Sequence, residues 1–150
     1  MTQASSRDRK SILIIEDDAD ILEILQYNLA RDGYDVATAM DGRVGLRLAG
    51  QTAPDLVLLD LMLPGIDGVE ICRELRAEKS TRHIPILMLT AKSEEADQLV
   101  GFSVGADDYV TKPFSVKVLL QRIRVLLQRR SQKVEEADRL SMHGIQLDQI

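Results

Sequence analysis

Three stretches of the chain are apolar almost without a break, and each stops on a polar side chain: "SILII" runs into Glu16-Asp17, "DLVLLD" ends on Asp60, and "IPILMLT" ends on Thr90. Runs this short and this rich in Ile, Val and Leu read as strands. A strand without polar alternation must be covered on both faces, the condition of a parallel sheet flanked by helices. Two further runs, "YDVATA" at 34–39 and the weaker "ADDYVTK" at 106–112, bring the expected strands to five.

Helical spacing fills the gaps. Ile21, Leu22, Leu25 and Leu29 follow an acidic start and precede Gly33, an expected C-terminal cap. Val69, Cys72 and Leu75 follow Asp67, an expected N-cap, and Asp41-Gly42 reads as a turn and helix start. Val116, Leu119, Leu120, Ile123, Leu126 and Leu127 mark a last amphipathic helix with Lys117, Arg124 and Gln128 turned outward. The expected fold is therefore α/β, a doubly wound five-stranded parallel sheet with five helices. Sheets of this kind bind ligands at the carboxyl ends of their strands, where the strand order reverses.

Composition limits the rest. A chain of 150 residues holds one ordinary domain and a short appendage. A net charge of -5 and a pI near 5.0 lack the basic balance of a nucleic-acid-binding domain, and 3% aromatics with no Trp leave no base-stacking platform. No stretch approaches the roughly 18 apolar residues of a membrane span, and the polar start "MTQASSRDRKS" has no secretory apolar core. A cytoplasmic location is expected. The single cysteine, Cys72, reads as a small buried hydrophobe, and His83 and His143 lack partners at metal-ligand spacing.

Glu16-Asp17, Asp60 and Thr90 would meet at one edge of the sheet, and carboxylates gathered so closely repel unless a cation or proton intervenes. A hard divalent cation with oxygen ligands, Mg²⁺, suits them. Lys112, at the end of the last strand, supplies a fixed positive charge. A carboxylate nucleophile, a metal, a lysine and the Thr90 hydroxyl make a phosphoryl-transfer site. Any one Asp at a strand end reads better as a cap or loop residue. It is the series "IEDD", "LLDLMLPGIDG", "MLTA" and "DDYVTKPF", each closing a strand, that carries the reading.

Over roughly residues 10 to 130 these motifs resemble the receiver domains of two-component response regulators, specifically the winged-helix (OmpR/PhoB-like) subfamily. The resemblance implies a CheY-like (flavodoxin-like) sheet in the order 2-1-3-4-5. It implies that Asp60 accepts a phosphoryl group from the phosphohistidine of a sensor histidine kinase. Asp17, Asp60 and the backbone carbonyl of Met62 would hold Mg²⁺ directly, and Glu16 through water, while Asp18 stays solvated. Lys112 and Thr90 would contact the bound phosphoryl group, and the Lys112-Pro113 bond would be cis. Thr90 and Tyr109 would act as the switch, altering the surface formed by the fourth helix, the fifth strand and the last helix. Beyond self-phosphorylation and self-dephosphorylation with Mg²⁺, no enzyme activity is expected.

On that surface the chain departs from the subfamily, with Gln98, Ser103 and Val118 where charged residues are common. Asp108 and Arg122 remain to pair across an interface, and Leu99, Phe102, Val118 and Leu120 make the face more apolar. A homodimer on phosphorylation is expected. Residues 1–10 are expected as a disordered N-terminal segment, 11–130 as the receiver, 131–140 as a linker without a helix of its own, and 141–150 as the first strand of a winged-helix DNA-binding domain. On this reading the chain is a piece of a longer transcription regulator that meets DNA only through that domain; the alternative is a natural short form, a stand-alone receiver or phosphorelay protein acting through protein contacts. A haloacid-dehalogenase-like phosphatase would want a second Asp where Met62 stands, and a flavodoxin-like cofactor binder would want a phosphate cradle where "EDDAD" would repel one.

Overall fold

The computed structural model describes residues 9–91 and 105–142. Five parallel strands, β1 (Ser11–Ile15), β2 (Asp35–Ala39), β3 (Leu56–Asp60), β4 (Ile86–Ala91) and β5 (Asp108–Lys112), form one sheet in the order β2-β1-β3-β4-β5. Each pairing is parallel. Among the described residues there are four helices: α1 (Ala19–Arg31), α2 (Gly42–Thr52), α3 (Gly68–Ala77) and α4 (Val116–Met142). The fifth expected helix would fall within residues 92–104, outside the described residues, as do residues 1–8 of the N-terminal segment expected over 1–10 and residues 143–150 of the winged-helix start expected over 141–150, whose first two residues end α4 instead.

The sheet carries a separate core on each face. Ile12, Ile14, Leu56, Leu58, Leu87 and Leu89 pack against Leu25 and Leu29 of α1 and Leu119 and Ile123 of α4. Their neighbours in sequence, Leu13, Ile15, Val57, Leu59, Ile86 and Met88, pack on the other side against Ala49 of α2 and Ile71, Cys72 and Leu75 of α3. Successive residues of a strand point to opposite faces. Both sets are buried, so the central strands show no polar alternation.

The caps expected from sequence are in place. Asp67 and Asp41 accept backbone amides of Glu70 and of Arg43 and Val44. Beyond α1, Gly33 takes a φ of +95°, and the Gly33 and Tyr34 amides bond back to Ala30 and Leu29, closing the helix in a Schellman turn. The tail differs from expectation. Residues 131–140, expected as a linker without helix, continue α4 to Met142. Extending an already packed helix costs far less than nucleating one, and "SQKVEEADRL" contains no Gly or Pro to stop it.

Candidate functional site

The strand order reverses between β1 and β3, and the polar residues gather at the carboxyl ends of those strands. Ile15 is registered with Leu59, so Glu16 and Asp60 are the next residues along adjacent strands. Thr90 ends the buried stretch of β4, and Ala91 is registered with Lys112 on β5. Glu16, Asp60 and Thr90 are almost wholly buried, while Asp17 is exposed.

Ligand atoms of Glu16, Asp17 and Asp60 lie within 4.8 Å of one another. Lys112 reaches into the group, its Nζ 2.9 Å from Oε1 of Glu16 and 3.3 Å from Oδ1 of Asp60. Oδ1 of Asp60 also accepts the Met62 amide at 3.1 Å, which fixes the carboxylate at the mouth of the strand. Oε2 of Glu16 accepts the Asp18 amide at 3.1 Å. Burial, with Asp60 adding to it, pushes the Glu16 carboxyl above the usual carboxylate range, and the Lys112 ammonium opposes this. Burial pulls Lys112 down, but the Glu16 and Asp60 carboxylates outweigh it and hold the ammonium above its ordinary value. Among the described residues the site is thus acidic, with the Lys112 ammonium as its cation.

The donor set fits a hard cation. Its ligand atoms are oxygens, and Oε1 of Glu16 is enclosed with no donor among the described residues reaching it except the Lys112 ammonium. The Thr90 hydroxyl donates to the Ala91 carbonyl at 3.3 Å. Tyr109 is half-buried against the core on the α2 and α3 side. The Lys112-Pro113 bond is cis.

Asp18 is exposed, as expected, and also serves as the N-cap of α1, accepting the amides of Asp20 and Ile21. Asp108 and Arg122, expected to pair across an interface, pair within the chain at 2.9 Å. Leu120 is half-buried against the core, whereas Val118 is exposed. Leu99 and Phe102, with Gln98 and Ser103, lie outside the described residues. His83 is exposed, as expected of a loop residue. Cys72 is buried, with its thiol pushed up to about 11 by burial.

Gly68 is a contributor the sequence reading missed. Its amide donates to the Leu61 carbonyl at 2.9 Å, and a Cβ there would lie 2.6 Å from the Asp60 carbonyl oxygen. Only a residue without a side chain lets α3 start this close to the strand end that carries Asp60. The second glycine of "GIDG", just past Asp60, was the available signal.

Comparison with known proteins gives matches over most of the chain. The model of the response regulator receiver domain family matches residues 12–124. The chain is 51% identical over 120 residues to the alkaline phosphatase synthesis transcriptional regulatory protein PhoP of Bacillus subtilis, covering 80% of this chain and 49% of that protein. It is 50% identical over 126 residues to the DNA-binding dual master transcriptional regulator RpaA of Synechocystis, covering 84% of this chain and 52% of that protein. The chain therefore spans about half the length of the curated relatives it matches. Among solved structures, the receiver domain of the sensor histidine kinase PA1611 from Pseudomonas aeruginosa, with magnesium in its active site cleft, superposes with a TM-score of 0.71 at 36% identity, covering 81% of this chain and 96% of that one.

Proposed function

Since the chain belongs to the response regulator receiver domain family, we propose that it takes a phosphoryl group onto Asp60 from the phosphohistidine of a sensor histidine kinase. The observation that carries this is the cluster in which the buried Asp60 and Glu16 meet the exposed Asp17 and the Lys112 ammonium. A carboxylate oxygen of Asp60 attacks phosphorus, the P–N bond breaks with its pair going to nitrogen, and the imidazole, already protonated on its other ring nitrogen, leaves neutral. The Met62 amide holds the attacking carboxylate in place. Lys112 then pairs with a phosphoryl oxygen in place of the Asp60 carboxylate.

The cofactor of this reading is Mg²⁺, which Asp17, Asp60 and the Met62 carbonyl would hold, with Glu16 acting through water; it would neutralise charge on the transferring phosphoryl oxygens. The magnesium in the cleft of the PA1611 receiver supports that choice. Such a site also takes phosphate from small donors and returns it to water, and no turnover of another substrate is proposed.

Phosphorylation adds about -1.5 to -2 charges and three acceptor oxygens. The Thr90 hydroxyl, held among the described residues by a long 3.3 Å bond, is cheap to redirect toward them, and Tyr109 follows into the space it leaves. The consequence proposed is a homodimer formed through the face that carries Val118 and the Asp108–Arg122 pair. In the full-length protein this controls DNA binding and transcription through a winged-helix domain beyond these residues. The names of PhoP and RpaA, a transcriptional regulatory protein and a DNA-binding regulator, support that extension. No helix among the described residues is long and apolar enough to cross a membrane. The cytoplasm, where kinases draw on ATP, is the proposed location.

Acetyl phosphate or beryllofluoride with Mg²⁺ tests the reading. The wild-type chain should be labelled or should bind the analogue and shift toward dimer in light scattering, and Asp60→Asn should do neither. Labelling that persists in Asp60→Asn would refute the acceptor assignment.

A further inference from the structure

The sheet has a second charged end. At the amino-terminal edge, where Pro85 leads into β4 and Asp107 into β5, lies a cavity of about 450 Å³. Its lining includes Arg76, Arg82, Arg129, Arg130 and Lys133, and Asp107 is its one carboxylate among the described residues.

These cations fall into two groups. Arg76 is fastened by the Gly105 and Ile84 carbonyls at 2.9 and 2.7 Å and by Asp107 at 2.8 Å. Arg130 is fastened by the Asp55 carbonyl at 2.8 Å. Arg82, Arg129 and Lys133 are exposed and have no anionic partner among the described residues. Asp107 is already engaged by Arg76 and by the Ile86 amide. Three positive charges without an anionic partner among the described residues thus surround one concavity in a chain whose net charge is -5. Like charges held together around a low-dielectric wall focus a positive potential into the space between them.

We infer that this cavity is a binding site for a small anion carrying two or more phosphates, separate from the Asp60 site at the other end of the strands. The volume falls within the range of about 300 to 1,000 Å³ typical of small-ligand sites. Pro85, Leu126 and Val134 add an apolar wall that an attached organic group can cover. A duplex backbone fits less well, because a long convex ribbon of phosphates calls for a ridge or open face rather than a concavity. Arg129 and Lys133 lie on α4, so an anion there also ties the helical extension to the β4 and β5 edge.

The test titrates the full chain with pyrophosphate and with ATP in Mg²⁺-free buffer, followed by calorimetry and by amide shifts. Both anions should bind saturably, with Kd below about 1 mM, and should shift Arg82, Gly105 and Lys133. Tighter binding of ATP shows that the apolar wall takes part, and equal binding shows that the phosphates alone are recognised. The triple variant Arg82→Gln, Arg129→Gln, Lys133→Gln should weaken binding about tenfold or more while responding normally to beryllofluoride at Asp60, which shows that it is folded. No saturable binding, binding undiminished in the responsive variant, or a charge-dependent affinity for a DNA duplex but not for pyrophosphate would overturn the inference.

Discussion

At the scale of single residues, the acceptor depends on an absent side chain as much as on those present. A Cβ on Gly68 would lie 2.6 Å from the Asp60 carbonyl and 2.7 Å from the Leu61 Cα, so relief of the clash must move backbone. Gly68→Ala should lower stability to urea by about 1–3 kcal/mol and slow the labelling of Asp60 by acetyl phosphate; wild-type values of both would remove the close-approach argument. Asp17, Asp60, Thr90 and Lys112 were legible in the sequence because phosphoryl chemistry asks for those residue types at strand ends. Gly68 was not, because its role lies in a distance between segments. Cys72 makes a second prediction at this scale. Burial pushes its thiol up to about 11 against 9.0 for the ordinary thiol, so the folded state binds its proton more tightly than the unfolded chain does. Its stabilising effect is complete below pH 9.0 and is lost as pH rises toward about 11. Relative to Cys72→Ala, the wild type should lose on the order of 2 kcal/mol across that window in urea unfolding. A pH-independent difference would show that the thiol titrates alike in both states.

At the scale of elements, one side chain joins what the hydrophobic pattern leaves separate. Arg76, in the last turn of α3, bonds to the carbonyls of Gly105, Arg82 and Ile84 and to Asp107, so the end of α3 is clasped to the segments entering β4 and β5. Arg76→Met keeps most of the stem and removes the fork, leaving those acceptors to water or to nothing. Stability should fall by about 2 kcal/mol, with faster amide exchange at Ile86 and Asp107; unchanged exchange there would show that the clasp is not what holds the edge. Periodicity made α1, α3 and the first half of α4 legible, since each has an apolar stripe facing a core. It could not show the polar half of α4. That stretch needs no stripe, because it grows from a helix that Leu119, Ile123, Leu126 and Leu127 already hold against the sheet. The capping role of Asp18 was hidden for a related reason: an acidic run at a strand end supplies both metal ligands and helix caps, and only the backbone decides which residue does which.

At the scale of the whole molecule, the parallel sheet follows from strands buried on both faces, while the strand order was implied by resemblance to a family and not by any local pattern. That order puts mutually repelling carboxylates together. The unfolded chain keeps Glu16 and Asp17 far from Asp60 along the sequence, whereas the fold brings their oxygens within 4.8 Å, so folding without a cation works against that repulsion. That repulsion fixes two signs. In Mg²⁺-free buffer, Asp17→Asn removes a repelling charge at an exposed position and should leave the fold as stable as wild type or more so. Adding Mg²⁺ stabilises only the state that gathers the ligands, by about 2.7 kcal/mol at a hundredfold excess over Kd, and this gain should be largely lost in the variant. Thermal melts of both proteins with and without Mg²⁺ therefore separate a metal site from a mere acidic surface, which would respond to Mg²⁺ alike with or without Asp17. An equal rise in Tm for the two proteins would remove Asp17 from the metal shell and with it the electrostatic reason for placing Asp60 beside it.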